Sequence, residues 1–241
     1  MEKMKNADRL IVALDVNTVS EVGELTEKIG ENVIWYKVGM ELFYAEGPKV
    51  IELLKQKNKK IFLDLKFHDI PNTVAGAVKS VAKLGVDMCN VHASGGLEMM
   101  KRAADANLEI ANKLQCTPTK LIAVTVLTSI DQEIFEKELG FESRISDKVS
   151  AWAKMAKDAG LNGVVASAQE AEGIKEKCGD DFLIVTPGIR PSFSASNDQK
   201  RIMRPFDALA KGATHLVIGR PITQSESPGE SAELVLKEME G

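Results

Sequence analysis

The sequence has no surplus of positive charge, few cysteines and no long apolar run, and each absence removes a class of protein. Lys and Arg number 31 against 35 Asp and Glu, a formal net charge of −4. That balance argues against a general nucleic-acid binder, so an anionic ligand needs a local positive pocket instead. No apolar stretch approaches the ~20 residues that a membrane-spanning helix needs. The start, Met1-Glu2-Lys3-Met4-Lys5-Asn6-Ala7-Asp8, carries no apolar core and is not expected to act as an export signal. Three cysteines, Cys89, Cys116 and Cys178, lie in distant segments and form neither a disulfide framework nor a CxxC site. A cytoplasmic chain with reduced thiols is therefore expected. No Pro/Ser-rich or low-complexity linker divides the chain, and no His/Cys/Asp cluster suggests a metal.

What is present is an ordinary globular balance, 44% hydrophobic and 27% charged over 241 residues. Short, β-branched apolar runs recur along the whole length, at 10–14, 33–38, 61–65, 88–91, 121–126, 164–166, 182–185 and 215–218. Each is nearly continuous in hydrophobicity and bounded by Gly, Asp, Pro or Asn, as strands buried on both faces of a parallel sheet are. Between them lie stretches with helical spacing. Val19, Val22, Leu25 and Ile29 form one stripe behind a Thr18 cap. Val74, Val78 and Val81 form another behind Pro71, and Val149, Trp152 and Ala156 a third. Three joints, Leu84-Gly85-Val86-Asp87, Ala159-Gly160-Leu161-Asn162 and Lys211-Gly212-Ala213-Thr214, place glycine just past a helix end, where it closes the helix and turns the chain. Repeated βα units of this kind predict parallel strands with right-handed crossovers. Eight strands in 241 residues fit one α/β domain over residues 1–241, a single (β/α)8 TIM barrel, better than a doubly wound sheet of about six strands.

In such a barrel, function sits where strands end and the following loops begin. The polar residues at those positions are Asp15, Lys37, Asp64, Lys66, His68, Asp69, His92, Thr128, Ser129, Arg190, Gly219 and Arg220. Read singly, each is a solvated loop residue. Lysines and carboxylates seldom enter buried strand positions unpaired, so their succession needs another explanation. Alternation along a strand turns Asp64 and Lys66 to one face and Leu65 to the other. Lys37 on the neighbouring strand can join them. The bland reading is a structural ion-pair network tying two strands together. The run at 55–60 reads as a solvated basic turn, Met99-Met100 as helix packing, and Gly95-Gly96 as loop geometry.

The segment Asp64-Leu65-Lys66-Phe67-His68-Asp69-Ile70-Pro71-Asn72-Thr73 resembles the signature of the orotidine 5′-phosphate decarboxylase family. Leu14-Asp15-Val16, Tyr36-Lys37-Val38-Gly39, Val91-His92-Ala93, Thr186-Pro187-Gly188-Ile189-Arg190, Asp198-Gln199-Lys200-Arg201 and Val217-Ile218-Gly219-Arg220-Pro221-Ile222 extend the likeness along essentially the whole chain. The resemblance implies that orotidine 5′-monophosphate loses CO2 to give UMP, the last step of pyrimidine biosynthesis, without metal or cofactor. It implies a charged array of Lys37, Asp64, Lys66 and Asp69, the last donated by the second subunit of a homodimer with shared sites. Lys66 would protonate C6 of the pyrimidine. Asp15 and Lys37 would hold the ribose, with Thr73 arriving from the second subunit, and Ile70 would also belong to the substrate-binding residues. Thr128 would meet the base, and otherwise reads as an ordinary helix cap. Arg190, Gln199, the Gly219 backbone and Arg220 would bind the phosphate beneath a lid at 187–199. Loops after strands seven and eight of barrels commonly bind phosphate near a helix N-terminus. His92 is expected to pack or hydrogen-bond beside the site. Two alternatives stay open: a sister barrel enzyme on a sugar phosphate, such as a Mg2+-dependent keto-acid decarboxylase or hexulose phosphate synthase, and a non-catalytic phosphate-ligand binder.

Overall fold

Apolar runs that bury both faces can satisfy their backbone groups only against one another, and each of these pairs with its successor in sequence. A computed structural model of the protein describes residues 5–194 and 203–241. The chain runs β1 (Leu10–Leu14), α1 (Val19–Ile29), β2 (Trp35–Gly39), α2 (Met40–Glu46), α3 (Lys49–Gln56), β3 (Lys60–Phe67), α4 (Pro71–Lys83), β4 (Met88–His92) and α5 (Gly96–Leu114). It continues through β5 (Lys120–Val124), α6 (Gln132–Lys137), α7 (Ile145–Asp158), β6 (Gly163–Val165), α8 (Ala171–Cys178), β7 (Leu183–Thr186), α9 (Pro205–Ala210), β8 (His215–Ile218), α10 (Arg220–Thr223) and α11 (Pro228–Glu238). The strands pair in order as one closed parallel barrel, with β8 returning to β1 through Leu10↔Leu216 and Val12↔Ile218. This is the (β/α)8 barrel that the repeated pattern predicts.

Local chemistry starts and stops the elements where expected. Thr18 caps α1 by accepting the Glu21 N–H, while the Glu21 carboxylate accepts the Thr18 N–H at 2.9 Å, a reciprocal capping box. The joints at Gly85, Gly160 and Gly212 have φ of +70°, +84° and +105°. The second strand begins two residues later than the apolar run at 33–38, and the fifth ends at Val124 rather than at 126. The 55–60 run is not a wholly solvated turn. The Lys59 side chain is buried, its ammonium bonded to the Glu31 carboxylate at 2.9 Å and the Val33 carbonyl at 3.2 Å. A lysine enters such a place only with partners of this kind. Met99 and Met100 are packed in the helical layer as expected. Among the described residues, no helix is long and apolar enough to cross a membrane.

The core has two parts. Outward-facing strand residues pack with the helix stripes, including Val22, Leu25, Ile29, Val74, Val78, Val81 and Val149. Inside the barrel, Ile11, Ala13, Trp35, Phe62, Met88, Ile122, Val185 and Val217 form a separate apolar plug. Gly163 opens β6 at a point where a methyl group would collide with the backbone carbonyl of Leu183 on β7, its ladder partner. Backbone in a closed barrel cannot step aside cheaply. Gly163→Ala is therefore expected to cost about 1–3 kcal/mol of stability, and a melting temperature lower by several degrees in a thermal scan checks it. An unchanged transition would show that the barrel relaxes there.

Candidate active site

The period of two that builds the plug also builds the layer above it. Two residues beyond Ala13, Trp35, Phe62 and Met88 come Asp15, Lys37, Asp64 and Asn90. Lys37 Nζ lies 3.5 Å from Asp64 Oδ2 and 3.7 Å from Asp15 Oδ1, and Lys66 Nζ lies 2.8 Å from Asp64 Oδ1. The side chains of Lys37 and Asp64 are each only 13% exposed, whereas Asp15 reaches solvent at 52%. Close backbone approach frames the cluster. A Cβ on Gly39 would stand 3.2 Å from the Lys37 ammonium, and one on Gly219 would stand 3.1 Å from Asp15 Oδ2.

Lys66 arrives by a route that simple alternation does not describe. Leu63 pairs with Cys89 and Phe67 with Val91, so β3 advances four residues while β4 advances two. Within that irregularity Lys66 takes φ +54°, a conformation uncommon outside glycine. Its N–H therefore finds a side chain, the Asn90 carboxamide oxygen at 2.8 Å. The Asn90 amide nitrogen donates in turn to Asp64 Oδ1 at 2.7 Å. Asn90 is fully buried. A neutral amide in an apolar strand carries no mark of a function in the sequence, although Met88, Asn90 and His92 share one face of β4 by the same alternation.

Burial pushes the Asp64 carboxyl up. The charges of Lys37 and Lys66, with hydrogen bonds from Lys66 and Asn90, outweigh burial and hold it below the ordinary value of 3.8. His92 is half-buried with its ring centroid 5.3 Å from that of His68. Burial, then His68 and Lys66, hold it below the usual imidazole range. Asp64, Lys66, Lys37 and Phe62 form one wall of a cavity of about 330 Å³. Val124, Val126, Leu127, Val165, Ala166, Pro187 and Val217 form the apolar remainder of the lining, together with Thr128 and Ser129. Thr128 is not the cap of α6: Asp131 fills that place, accepting the Ile134 N–H at 3.0 Å.

The other expected residues divide clearly. Gly219 joins β8 to α10 beside the end of β1, and Arg220 is the first residue of α10. Arg190 is buried after β7, its guanidinium donating to the Ile189 carbonyl at 3.0 Å. Asp69, Ile70 and Thr73 are not brought to this cavity. Asp69 accepts the Ile70 N–H at 2.6 Å, and Ile70, just before α4, is 67% exposed. Gln199, the Asp198-Gln199-Lys200-Arg201 motif and part of the 187–199 segment lie outside the described residues. Among the described residues, no group of three or more His, Cys, Asp or Glu side chains is placed to hold a metal ion.

Comparison with known proteins adds the following. A family described as "Orotidine 5′-phosphate decarboxylase / HUMPS family" matches residues 8–235. The chain is 47% identical over 240 residues to the orotidine 5′-phosphate decarboxylase of Moorella thermoacetica, covering 100% of this chain and 95% of that one. It is 49% identical over 235 residues to the corresponding protein of Carboxydothermus hydrogenoformans, covering 98% and 97%. The crystal structure of orotidine 5′-phosphate decarboxylase from Lactobacillus acidophilus superposes with a TM-score of 0.85 at 41% identity, over 97% of this chain and 100% of that one.

The low folded value of Asp64 gives its stability contribution a definite sign. That contribution is full above the unfolded value of 3.8 and disappears as pH falls through the lower folded value. In an NMR titration of the aspartate carboxyl carbons, Asp64 is expected to be more than half ionised at pH 3.8, where an unperturbed aspartate is half protonated. A midpoint at or above that pH would contradict the electrostatic account of the cluster.

Proposed function

We propose, from the premise that this chain belongs to the orotidine 5′-phosphate decarboxylase / HUMPS family, that it converts orotidine 5′-monophosphate to UMP and CO2 as a carboxy-lyase of pyrimidine biosynthesis. One observation carries the chemistry: an ammonium held beside a buried carboxylate on the wall of a nucleotide-sized cavity. Such cavities commonly enclose about 300–1,000 Å³. Breaking the bond from C6 to the carboxylate leaves an electron pair on an sp2 carbon with no ring position to delocalise it well. The Lys66 ammonium faces that developing charge and then transfers its proton to C6. Solvent returns a proton to the amine after CO2 has left. A charge aligned before the reaction needs no reorganisation during it, which makes this the larger effect. Asp64 sets the ammonium and lies beside the departing carboxylate, a repulsion that ends when neutral CO2 forms. The step requires neither redox chemistry nor an organic electron sink, so the reading is of a cofactor-free enzyme.

The remaining contacts follow from the same placement. Asp15 and Lys37 take the ribose hydroxyls, and Thr128 with the apolar wall takes the base. Gly219, Arg220, Arg190 and Gln199 take the phosphate, whose binding energy is available to order the site. The chain acts as one domain, residues 1–241, in a cytoplasmic homodimer. Asp69, Ile70 and Thr73 serve the neighbouring site, so each array is completed by Asp69 of the partner subunit. Support for the shared site comes from an acid and a large apolar side chain exposed immediately past β3.

Orotidylate turnover is expected to persist in EDTA. Loss on chelation would favour a Mg2+-dependent sugar-phosphate enzyme instead, a reading the breadth of the family name leaves to be tested. Lys66→Ala is expected to lower kcat by at least about 10⁴-fold, combining proton transfer with charge stabilisation. A non-catalytic binder would retain its ligand affinity and have no turnover to lose. Lys66→Ala and Asp69→Ala chains, each inactive alone, are expected to regain activity on mixing, because a mixed dimer contains one intact site. No recovery under conditions of subunit exchange would separate Asp69 from its neighbour's chemistry.

A further inference from the structure

The irregularity between β3 and β4 leaves a buried side chain with two simultaneous duties. We propose that Asn90 is the positioning residue of the site, its carboxamide fixing the Lys66 ammonium against the Asp64 carboxylate by holding the Lys66 backbone with one end and Asp64 with the other. The inference rests on the decarboxylase reading above and names a residue that reading does not use.

Geometry leaves the amide one orientation. A backbone N–H can only donate and a carboxylate can only accept, so Oδ1 must face Lys66 and Nδ2 must face Asp64, as the 2.8 Å and 2.7 Å contacts have them. The bulge gives this bond its importance. A lysine at φ +54° has left the ladder, and without an acceptor its N–H would be buried unsatisfied. Asn90 occupies the short side of the mismatch, between Cys89 and Val91. It replaces the missing ladder bond and ties the displaced backbone to the carboxylate that the lysine's own side chain reaches. The ring so formed, from Lys66 N–H through the carboxamide to Asp64 Oδ1 and back through Lys66 Nζ, fixes both ends of the lysine. Serine or threonine is too short to span both partners, and alanine supplies neither contact.

The charged and titratable groups facing Asp64 are Lys37 from β2, Lys66 from β3 and His92 from β4. His68 lies beyond the last of these, and Asp15 faces the far side of Lys37. None can take over the neutral donor–acceptor pair. An isosteric acid can, in one protonation state only. A protonated carboxyl donates O–H to Asp64 and accepts the Lys66 N–H as the amide does. Ionised, it loses the donor and sets a second negative charge against the first.

The test is the pH dependence of orotidylate turnover in wild type, Asn90→Ala and Asn90→Asp, with UMP binding measured in parallel. For Asn90→Ala, kcat is expected to fall about 100-fold, the scale of an ångström-sized misplacement, while the UMP dissociation constant changes by less than about threefold. Asn90→Asp is expected to recover towards acidic pH and to lose kcat as the pH rises, a descending limb absent from wild type. The proposal is overturned if both variants keep wild-type kcat. It is equally overturned if kcat and UMP affinity fall together with an unchanged pH profile, or if neither variant folds, since Asn90 would then serve the scaffold alone. An inactive wild type would overturn the decarboxylase reading, and this proposal with it. An active wild type with indifferent variants would overturn this proposal only.

Discussion

The site depends on keeping one carboxylate ionised where water is scarce. Asp64 is 13% exposed at its side chain, and removing an ion from water costs several kcal/mol even after the surroundings relax. A unit charge about 4 Å away returns about 4 kcal/mol at an effective dielectric near 20. One lysine therefore roughly balances the cost, and two lysines with an amide donor exceed it. The low pKa of Asp64 expresses that surplus. The dependence is mutual, because Lys37 and Lys66 are two cations at one barrel mouth and the carboxylate between them permits both. Asp15, half in solvent, adds a longer and better screened contact.

A parallel barrel suits this arrangement for a geometric reason. Its interior is filled by side chains from successive strands in layers, so a change from apolar to charged at the same step of several strands produces a charged layer resting on an apolar floor. The plug below excludes water from one side of the cluster, and the apolar wall of Val124, Val126, Leu127, Val165 and Pro187 lowers the local dielectric from another. Glycines at 39 and 219 let neighbouring strand ends close around the charges where any side chain would press on them. The strands and the plug thus provide the fixed field, and the loops beyond them supply the rest of the cavity lining.

Much of this was legible in the sequence. The alternation of short β-branched runs with apolar helical stripes, punctuated by Gly85, Gly160 and Gly212, contains the barrel. The paired positions Trp35/Lys37 and Phe62/Asp64 contain most of the charged layer. Two things were not legible. Alternation assigns Lys66 to the Asp64 face, but the side chain reaches Asp64 through a bulge and a positive φ, and neither leaves a mark in the residues from 63 to 67. Asn90 looked like an ordinary strand residue because a neutral amide in an apolar run suggests nothing until its partners are known. Lys59 misled for the opposite reason: a basic cluster looks solvated, and only the three-dimensional arrangement supplies the carbonyls that admit one of its members to the interior.

The bulge also lies where the lysine meets the aspartate two residues before it. In a regular strand, residues i and i+2 project side by side on one face. Lys66 instead takes the left-handed region, and with that backbone its ammonium lies 2.8 Å from Asp64 Oδ1 and lines the cavity. A non-glycine residue in a sparsely populated backbone region costs of order 1–3 kcal/mol and persists only where its surroundings over-determine it. Here the surroundings are the Asn90 acceptor on the backbone and the Asp64 acceptor on the side chain. The same two contacts that hold the strained conformation therefore also fix where the Lys66 ammonium points. Backbone strain and side-chain placement share one set of bonds, so a change that relaxes the backbone also loosens the hold on the ammonium.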